Sequence, residues 1–141
     1  VPLLDTINTC KKLLQLNCDA KNITFQINVP DTQKIQTDPY YFQTILRNLI
    51  QNAIKAAPPN TAIDINTLVQ NQFLILSIQN EGHTFTQKQF EQIILNEEFN
   101  KTLTGLGLKL TQELCEKINV QLNFSDNLVN ATVAELRLPI A

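Results

Sequence analysis

No apolar run in this chain approaches the roughly 18 residues that a membrane-spanning helix needs, and no signal peptide opens it. Cysteine is scarce. Cys10, Cys18 and Cys115 make an odd count with no C-x-x-C pair, which argues against a disulfide framework and against a zinc site. They read as small apolar fillers, and a reducing cytoplasm is the compartment that suits them. Clusters of basic residues are missing too. The 11 Lys and Arg are scattered among 13 Asp and Glu, for a net charge of −2, whereas a nucleic-acid or anionic-membrane surface gathers its cations on one face. No Ser or Cys nucleophile comes with a placed histidine, so acyl-transfer and hydrolase chemistry find no support. The single histidine, His83, reads as a solvated loop residue. Glycine is as rare as cysteine: Gly82, Gly105 and Gly107 are the only three in 141 residues. A chain that avoids glycine elsewhere uses it where a side chain would obstruct something.

The length suits one domain over residues 1–141, and a 43% hydrophobic content is enough for a core at a size where roughly two thirds of the unfolded surface is buried. Asn and Gln are abundant but evenly spread, with no low-complexity run, and read as compositional drift. The first residue is Val rather than Met, so the expectation is a fragment, with any membrane anchor upstream of it.

Leu3, Leu4, Ile7, Leu13, Leu14 and Leu16 recur at helical spacing, predicting an entry helix over 3–17. Ile23, Phe25, Ile27 and Val29 alternate with polar residues and stop at Pro30, a half-buried strand, and a short second strand is expected through Ile35. Asp38-Pro39 is a strong helix start, and Pro58-Pro59 ends that helix near Ala57. Strands over 63–69 and 73–78 flank Asn71-Gln72 as a hairpin. An amphipathic stretch follows at Phe90, Ile93 and Ile94. A helix is predicted from Leu106 to Ile118, then strands through Val120, Leu122 and Phe124 and through Val133, Leu136 and Leu138, with Arg137 on the polar side. Helices and hairpins in this order predict an α+β, two-layer sandwich: a mixed, mostly antiparallel sheet with helices on one face.

Three motifs carry candidate chemistry. In Asn48-Leu-Ile-Gln-Asn52-Ala-Ile-Lys55, at about 100° per residue, Asn48, Asn52 and Lys55 fall within about 60° of one another on the helix. The core face, with Phe42, Leu46, Leu49, Ile50 and Ala53, lies on a separate arc. A carboxamide oxygen is a hard neutral ligand suited to Mg²⁺, and a lysine one turn on can pair with phosphate. The plainer alternative is a solvated helix face. In Asn80-Glu81-Gly82-His83-Thr84-Phe85 a glycine follows an apolar strand and permits close backbone approach, as any strand-ending turn would. Thr104-Gly105-Leu106-Gly107-Leu108 is expected at a loop-to-helix junction, where free N–H groups and the helix dipole suit phosphate.

The ordered set N-L-x-x-N-A-x-K, strand-x-x-G, then T-G-L-G-L resembles the Bergerat-fold ATPases, the superfamily joining DNA gyrase, the heat-shock chaperone ATPase, MutL and histidine kinases. Spacing and flanks are most similar to the ATP-binding catalytic domain of bacterial sensor histidine kinases, over roughly residues 3–138. The resemblance implies Asn52 as Mg²⁺ ligand, Asn48 beside it in the pocket wall, and Lys55 at phosphate or ribose. It implies Asn80, Gly82 and Thr84 at the base. Residues 83–103 would form an ATP lid carrying Phe99 and Lys101, with Thr104, Gly105, Leu106, Gly107 and Leu108 around the phosphates. It further implies ATP and Mg²⁺ as cofactors and phosphoryl transfer to a histidine on a separate dimerisation domain. A response regulator would be the downstream partner, at a cytoplasmic location without nucleic-acid or membrane contact by this segment.

The sequence departs from that pattern at three places. Asn80 stands where the family has Asp, and Thr84 where it has its second glycine. Losing charge assistance at Asn80 is expected to weaken base binding by about 1 kcal/mol. Leu103 replaces the glycine that leads into T-G-L-G-L. A non-catalytic module on the same fold, and an anti-sigma-factor serine kinase of the same superfamily, are the competing readings.

Overall fold

The computed structural model describes residues 1–82, 84–95, 103–125 and 129–140, with the backbone alone for 103–106. Among these residues ten elements follow in order: α1 (Leu3–Leu13), α2 (Gln15–Lys21), β1 (Thr24–Asn28), α3 (Pro39–Ala56), β2 (Ala62–Gln70), β3 (Phe73–Glu81), α4 (Gln87–Leu95), α5 (Leu103–Lys117), β4 (Gln121–Phe124) and β5 (Ala131–Pro139). The strands form one sheet in the order β1-β2-β3-β5-β4. β1 runs parallel to β2, which the intervening α3 crossover makes possible, and the other pairs are antiparallel.

Alternation along β3 sets the layers. Leu74, Leu76, Ile78 and Asn80 are all buried, while Phe73 and Glu81 are exposed. On β5 the residues in register with those four, Leu138, Leu136, Ala134 and Thr132, are buried as well. This inner face packs against Leu3, Ile7 and Cys10 of α1 and against Phe42, Leu46, Leu49 and Ile50 of α3. Asn80 therefore sits in the core because it continues an inward-facing apolar series, and a buried amide needs partners.

The middle helix forms as its ends dictate. The Asp38 carboxylate accepts from the Tyr41 N–H at 2.9 Å, Pro39 occupies the first turn, and the chain leaves the helix at Ala57 before Pro58. Elsewhere the boundaries differ from expectation. The entry helix breaks at Leu14 into α1 and α2. Ile35 makes an isolated bridge to Ile140 rather than a strand. β3 continues three residues past Ile78 to Glu81, because β5 pairs with it along its whole length. Part of the expected lid is the helix α4. Thr86 and Gln89 cap its start reciprocally, with Thr86 N–H to Gln89 Oε1 at 2.9 Å and Gln89 N–H to Thr86 Oγ1 at 3.2 Å. Phe90 anchors it in the core, its ring centroid 5.0 Å from that of Phe124.

The abundance of asparagine has a conformational basis. Among the described residues, all the non-glycine residues with positive φ are asparagines: Asn22, Asn60, Asn71, Asn119 and Asn130. Asn22 and Asn119 end α2 and α5, where Ile23 and Val120 donate back to the carbonyls of Cys18 and Cys115, the left-handed cap that glycine most often supplies. Asparagine fills turns from which this sequence withholds glycine.

The cysteines are core residues, as expected. Burial pushes the Cys10 thiol up to about 11 and the Cys115 thiol up to about 12, and Cys18 is raised as well, by burial first and then by Asp19. At about pH 8 they are thiols, and the thiolate is the nucleophile. Iodoacetamide at that pH is expected to leave all three unmodified in the native domain and to label them in urea, read by mass spectrometry. Native-state labelling at the rate of a free thiol would contradict the buried placement.

Candidate functional site

The C-terminal half of α3, the end of β3, the beginning of α5 and the β4–β5 ladder enclose a cavity of about 280 Å³. That is near the lower end of ligand pockets, about 300–1,000 Å³. Asn52, Asn80, Thr84 and Leu108 line it, four residues singled out in the sequence and now brought together from three motifs.

Asn80 is 3% exposed, and its Nδ2 donates to the Glu81 carbonyl at 2.8 Å. The Nδ2 of Asn52 is buried with no partner. An unpaired buried amide donor carries a desolvation penalty of about 1–3 kcal/mol, which an acceptor oxygen of a ligand would relieve; only the Oδ1 of the same carboxamide is able to ligate a cation. Asn48 is placed differently. It lies outside the cavity lining, and its Nδ2 reaches Thr111 Oγ1 at 3.4 Å, while the Thr111 hydroxyl donates to the Gly107 carbonyl at 2.8 Å. Asn48 thus ties α3 to α5. Lys55 is exposed on the last turn of α3, also outside the lining.

The glycines separate. Gly82 has φ of +124°, and a Cβ there would lie 2.8 Å from the Ala56 carbonyl oxygen. The close approach seen there is that of the protein's own backbone, the Ala56 carbonyl at the end of α3. Gly107 is the opposite case: among the described residues, nothing beyond its own stretch of helix lies within 4 Å of an added Cβ. The T-G-L-G-L segment also differs from expectation. α5 begins at Leu103, so Thr104, Gly105 and Leu106 are in its first turn and Gly107 and Leu108 in its second, not in a loop. Leu108 is buried and faces the cavity. His83, Phe99 and Lys101 lie outside the described residues.

Other lining residues carry no assigned role in the sequence motifs. Phe85 and Phe124 meet edge to face with centroids 4.9 Å apart, and both border the cavity with Gln89 and Thr132. Thr132 stands opposite Asn80 in the ladder, and its Oγ1 accepts from the Phe85 N–H at 2.9 Å. Strand alternation places Thr132 on the inner face, but only the β3–β5 pairing puts it beside Asn80.

The profile of the family described as Histidine kinase-, DNA gyrase B-, and HSP90-like ATPase matches residues 37–141. The chain belongs to this ATPase family. Among curated relatives, the domain is similar to the heme sensor protein HssS of Staphylococcus haemolyticus, 28% identical over 130 residues, covering 89% of this chain and 28% of that protein. It is also similar to the sensor protein kinase GraS of Staphylococcus aureus, 24% identical over 144 residues, covering 98% of this chain and 40% of that protein. The ATPase domain thus spans well under half the length of these relatives. The catalytic domain of histidine kinase ThkA superposes with a TM-score of 0.82 at 23% identity, over 99% of this chain and 92% of that one. The mycobacterial sensor histidine kinase MprB does so at 0.80 and 18%, over 99% and 95%. The fold is therefore the Bergerat fold of histidine kinase catalytic domains, and family membership implies ATP binding. These relatives do not favour the serine-kinase or non-catalytic reading. Among the described residues no helix is long and apolar enough to cross a membrane.

Proposed function

We propose that the ATPase domain presents Mg²⁺-ATP for transfer of its γ-phosphoryl group to a histidine on the dimerisation domain of the same kinase, with a response regulator downstream. The observation that carries this reading is the shared cavity. A carboxamide of α3 with an unpaired buried end, Asn52, faces the same space as Asn80 of β3 and Leu108 at the start of α5.

Asn80 and the apolar walls take the base, a role for a small cavity with few polar groups. The first-turn N–H groups of α5 have no partner within the helix and, with its dipole, favour the phosphates. Gly107 leaves open space on that helix. Asn52 is the oxygen ligand available to Mg²⁺, whose bound form would neutralise charge on the transferred phosphoryl group. Lys55, exposed on the last turn of α3, would meet a phosphate or ribose. With the acceptor imidazole already nucleophilic, the domain contributes positioning and electrostatics rather than a strong base.

Calorimetry on the domain tests this directly: ATP is expected to bind in the presence of Mg²⁺ and to bind far more weakly, by about tenfold or more, in EDTA. Equally tight binding without the metal would remove Asn52 from the role proposed for it.

A further inference from the structure

The last turn of α3 is capped by a side chain from another helix. Where a helix ends, its final carbonyls lose the N–H groups that a further turn would bring. Had α3 run on, the N–H groups of residues 58 and 59 would have bonded the carbonyls of Ile54 and Lys55. Both positions are proline, which has no N–H and holds the preceding residue, Ala57, in extended backbone. One side chain supplies both missing donors. Lys21, the last residue of α2, donates from Nζ to the Ile54 carbonyl at 2.8 Å and to the Lys55 carbonyl at 3.0 Å.

We propose that Lys21 is a positioning residue for the nucleotide site: by standing in for the N–H groups that Pro58 and Pro59 lack, it holds the turn of α3 from which Asn52 and Lys55 reach metal and phosphate. This rests on the Mg²⁺-ATP reading above. Ala53 and Ala56, on the capped turn, line the cavity, and Asn52 lies one residue before it. Lys21 itself is outside the lining, so its effect travels through the backbone of α3. A ligand set keeps its affinity only while its geometry is held to about 0.5 Å.

The cap is anchored at its own base. The Lys21 carbonyl accepts from the Asn60 N–H at 2.9 Å, Asn22 Nδ2 donates to Asn60 Oδ1 at 2.8 Å, and the Thr24 N–H donates to the Thr61 carbonyl at 3.2 Å. The end of α2 is thus stapled to the chain just beyond the two prolines, and the ammonium arrives with little freedom left to lose. A cation at a helix C-terminus is also favoured by the dipole, and charge-assisted hydrogen bonds are about twice as strong as neutral ones. From the other side the backbone of Gly82 closes on the Ala56 carbonyl, the next one along. The last turn is therefore gripped between α2 and the residue that follows β3.

The test uses the wild-type domain, Lys21→Met, which keeps the stem and removes the donors, and Lys21→Arg, which restores them. Titrations with ATP are run in Mg²⁺ and in EDTA, well below every melting temperature, and amide exchange is followed by NMR without nucleotide. Lys21→Met should melt several degrees lower. The Ala57 N–H, bonded to the Ala53 carbonyl at 3.0 Å, should exchange about tenfold faster in it as the turn frays. ATP affinity should fall about tenfold in Mg²⁺ and by much less in EDTA, because the turn carries the metal and phosphate groups rather than the base wall. Lys21→Arg, with its fork of N–H donors, should stay within about threefold of wild type.

A Lys21→Met domain that melts lower yet binds Mg²⁺-ATP as tightly as wild type would make Lys21 a structural cap alone and overturn the proposal, leaving nucleotide binding intact. Equal losses of affinity with and without the metal would overturn it as well. Unchanged exchange at Ala57 would remove the capping link with no nucleotide involved. Should Lys21→Met be too unstable to titrate, Lys21→Gln, with amide donors on a shorter stem, is judged by the same outcomes. If wild type binds no ATP, the proposed function itself fails, and the positioning role with it.

Discussion

Asn52→Ala is expected to weaken Mg²⁺-ATP binding by about 10- to 100-fold, the range for one interaction with a charged group, without destabilising the apo domain. The second half of that expectation follows from the unpaired Nδ2 of Asn52. Deleting the side chain removes a buried donor that has no partner, so the loss of packing is offset by relief of a desolvation penalty. Asn48→Ala should behave in the opposite way. It severs the link from α3 to Thr111 on α5, lowering stability by about 1 kcal/mol while reducing affinity by less than about tenfold. The two amides lie four residues apart on one helix face, yet one is held by Thr111 and the other has a buried Nδ2 without a partner. Calorimetry and melting curves on both variants separate the roles. Equal losses of affinity, or a destabilised Asn52→Ala apo domain, would mean that both asparagines are structural.

Gly82→Ala should be among the most damaging single-methyl additions in the molecule. The backbone there has φ of +124°, and the new Cβ would approach the Ala56 carbonyl oxygen to 2.8 Å. Strain of this kind costs about 1–3 kcal/mol before the clash is counted. The obstructing atom is backbone at the end of α3 and cannot swing aside. A loss of about 2–4 kcal/mol, or roughly 10 °C in Tm, is expected. Nucleotide affinity should fall too, because Ala56 and Asn80 both line the cavity and the clash pushes their elements apart. Gly107→Ala provides the contrast. Among the described residues its added Cβ meets nothing beyond its own stretch of helix within 4 Å, so in the helix it should stabilise the apo domain by about 0.5–1 kcal/mol. If that open space is where the phosphates lie, the same substitution should weaken ATP binding. Melting the two variants with and without Mg²⁺-ATP reads both effects, and a Gly82→Ala domain as stable as wild type would refute the backbone explanation.

Much of this was legible from periodicity and end signals. Asp38-Pro39 and Pro58-Pro59 bound α3 because caps and proline act through nearest neighbours. The alternation of Leu74, Leu76 and Ile78 sets the inner face of β3 because side chains alternate along any strand; that the series runs on to Asn80 depends on the pairing with β5. The phase of Asn48, Asn52 and Lys55 follows from helix pitch alone. The three motifs also contain every glycine of the chain, and their combination pointed to the family before any fold was known.

Sequence by itself determined the elements, the core faces and the residue types available for chemistry, since these depend on local sterics and on the pattern of apolar positions. Tertiary structure alone decided which asparagine is spoken for, which glycine is forced by the protein and which is open, and that Thr132, Phe124 and Asn80 share one wall. Those outcomes depend on which strands pair and how closely the end of α3 approaches β3, distances set by packing between segments far apart in the chain and invisible to any local pattern.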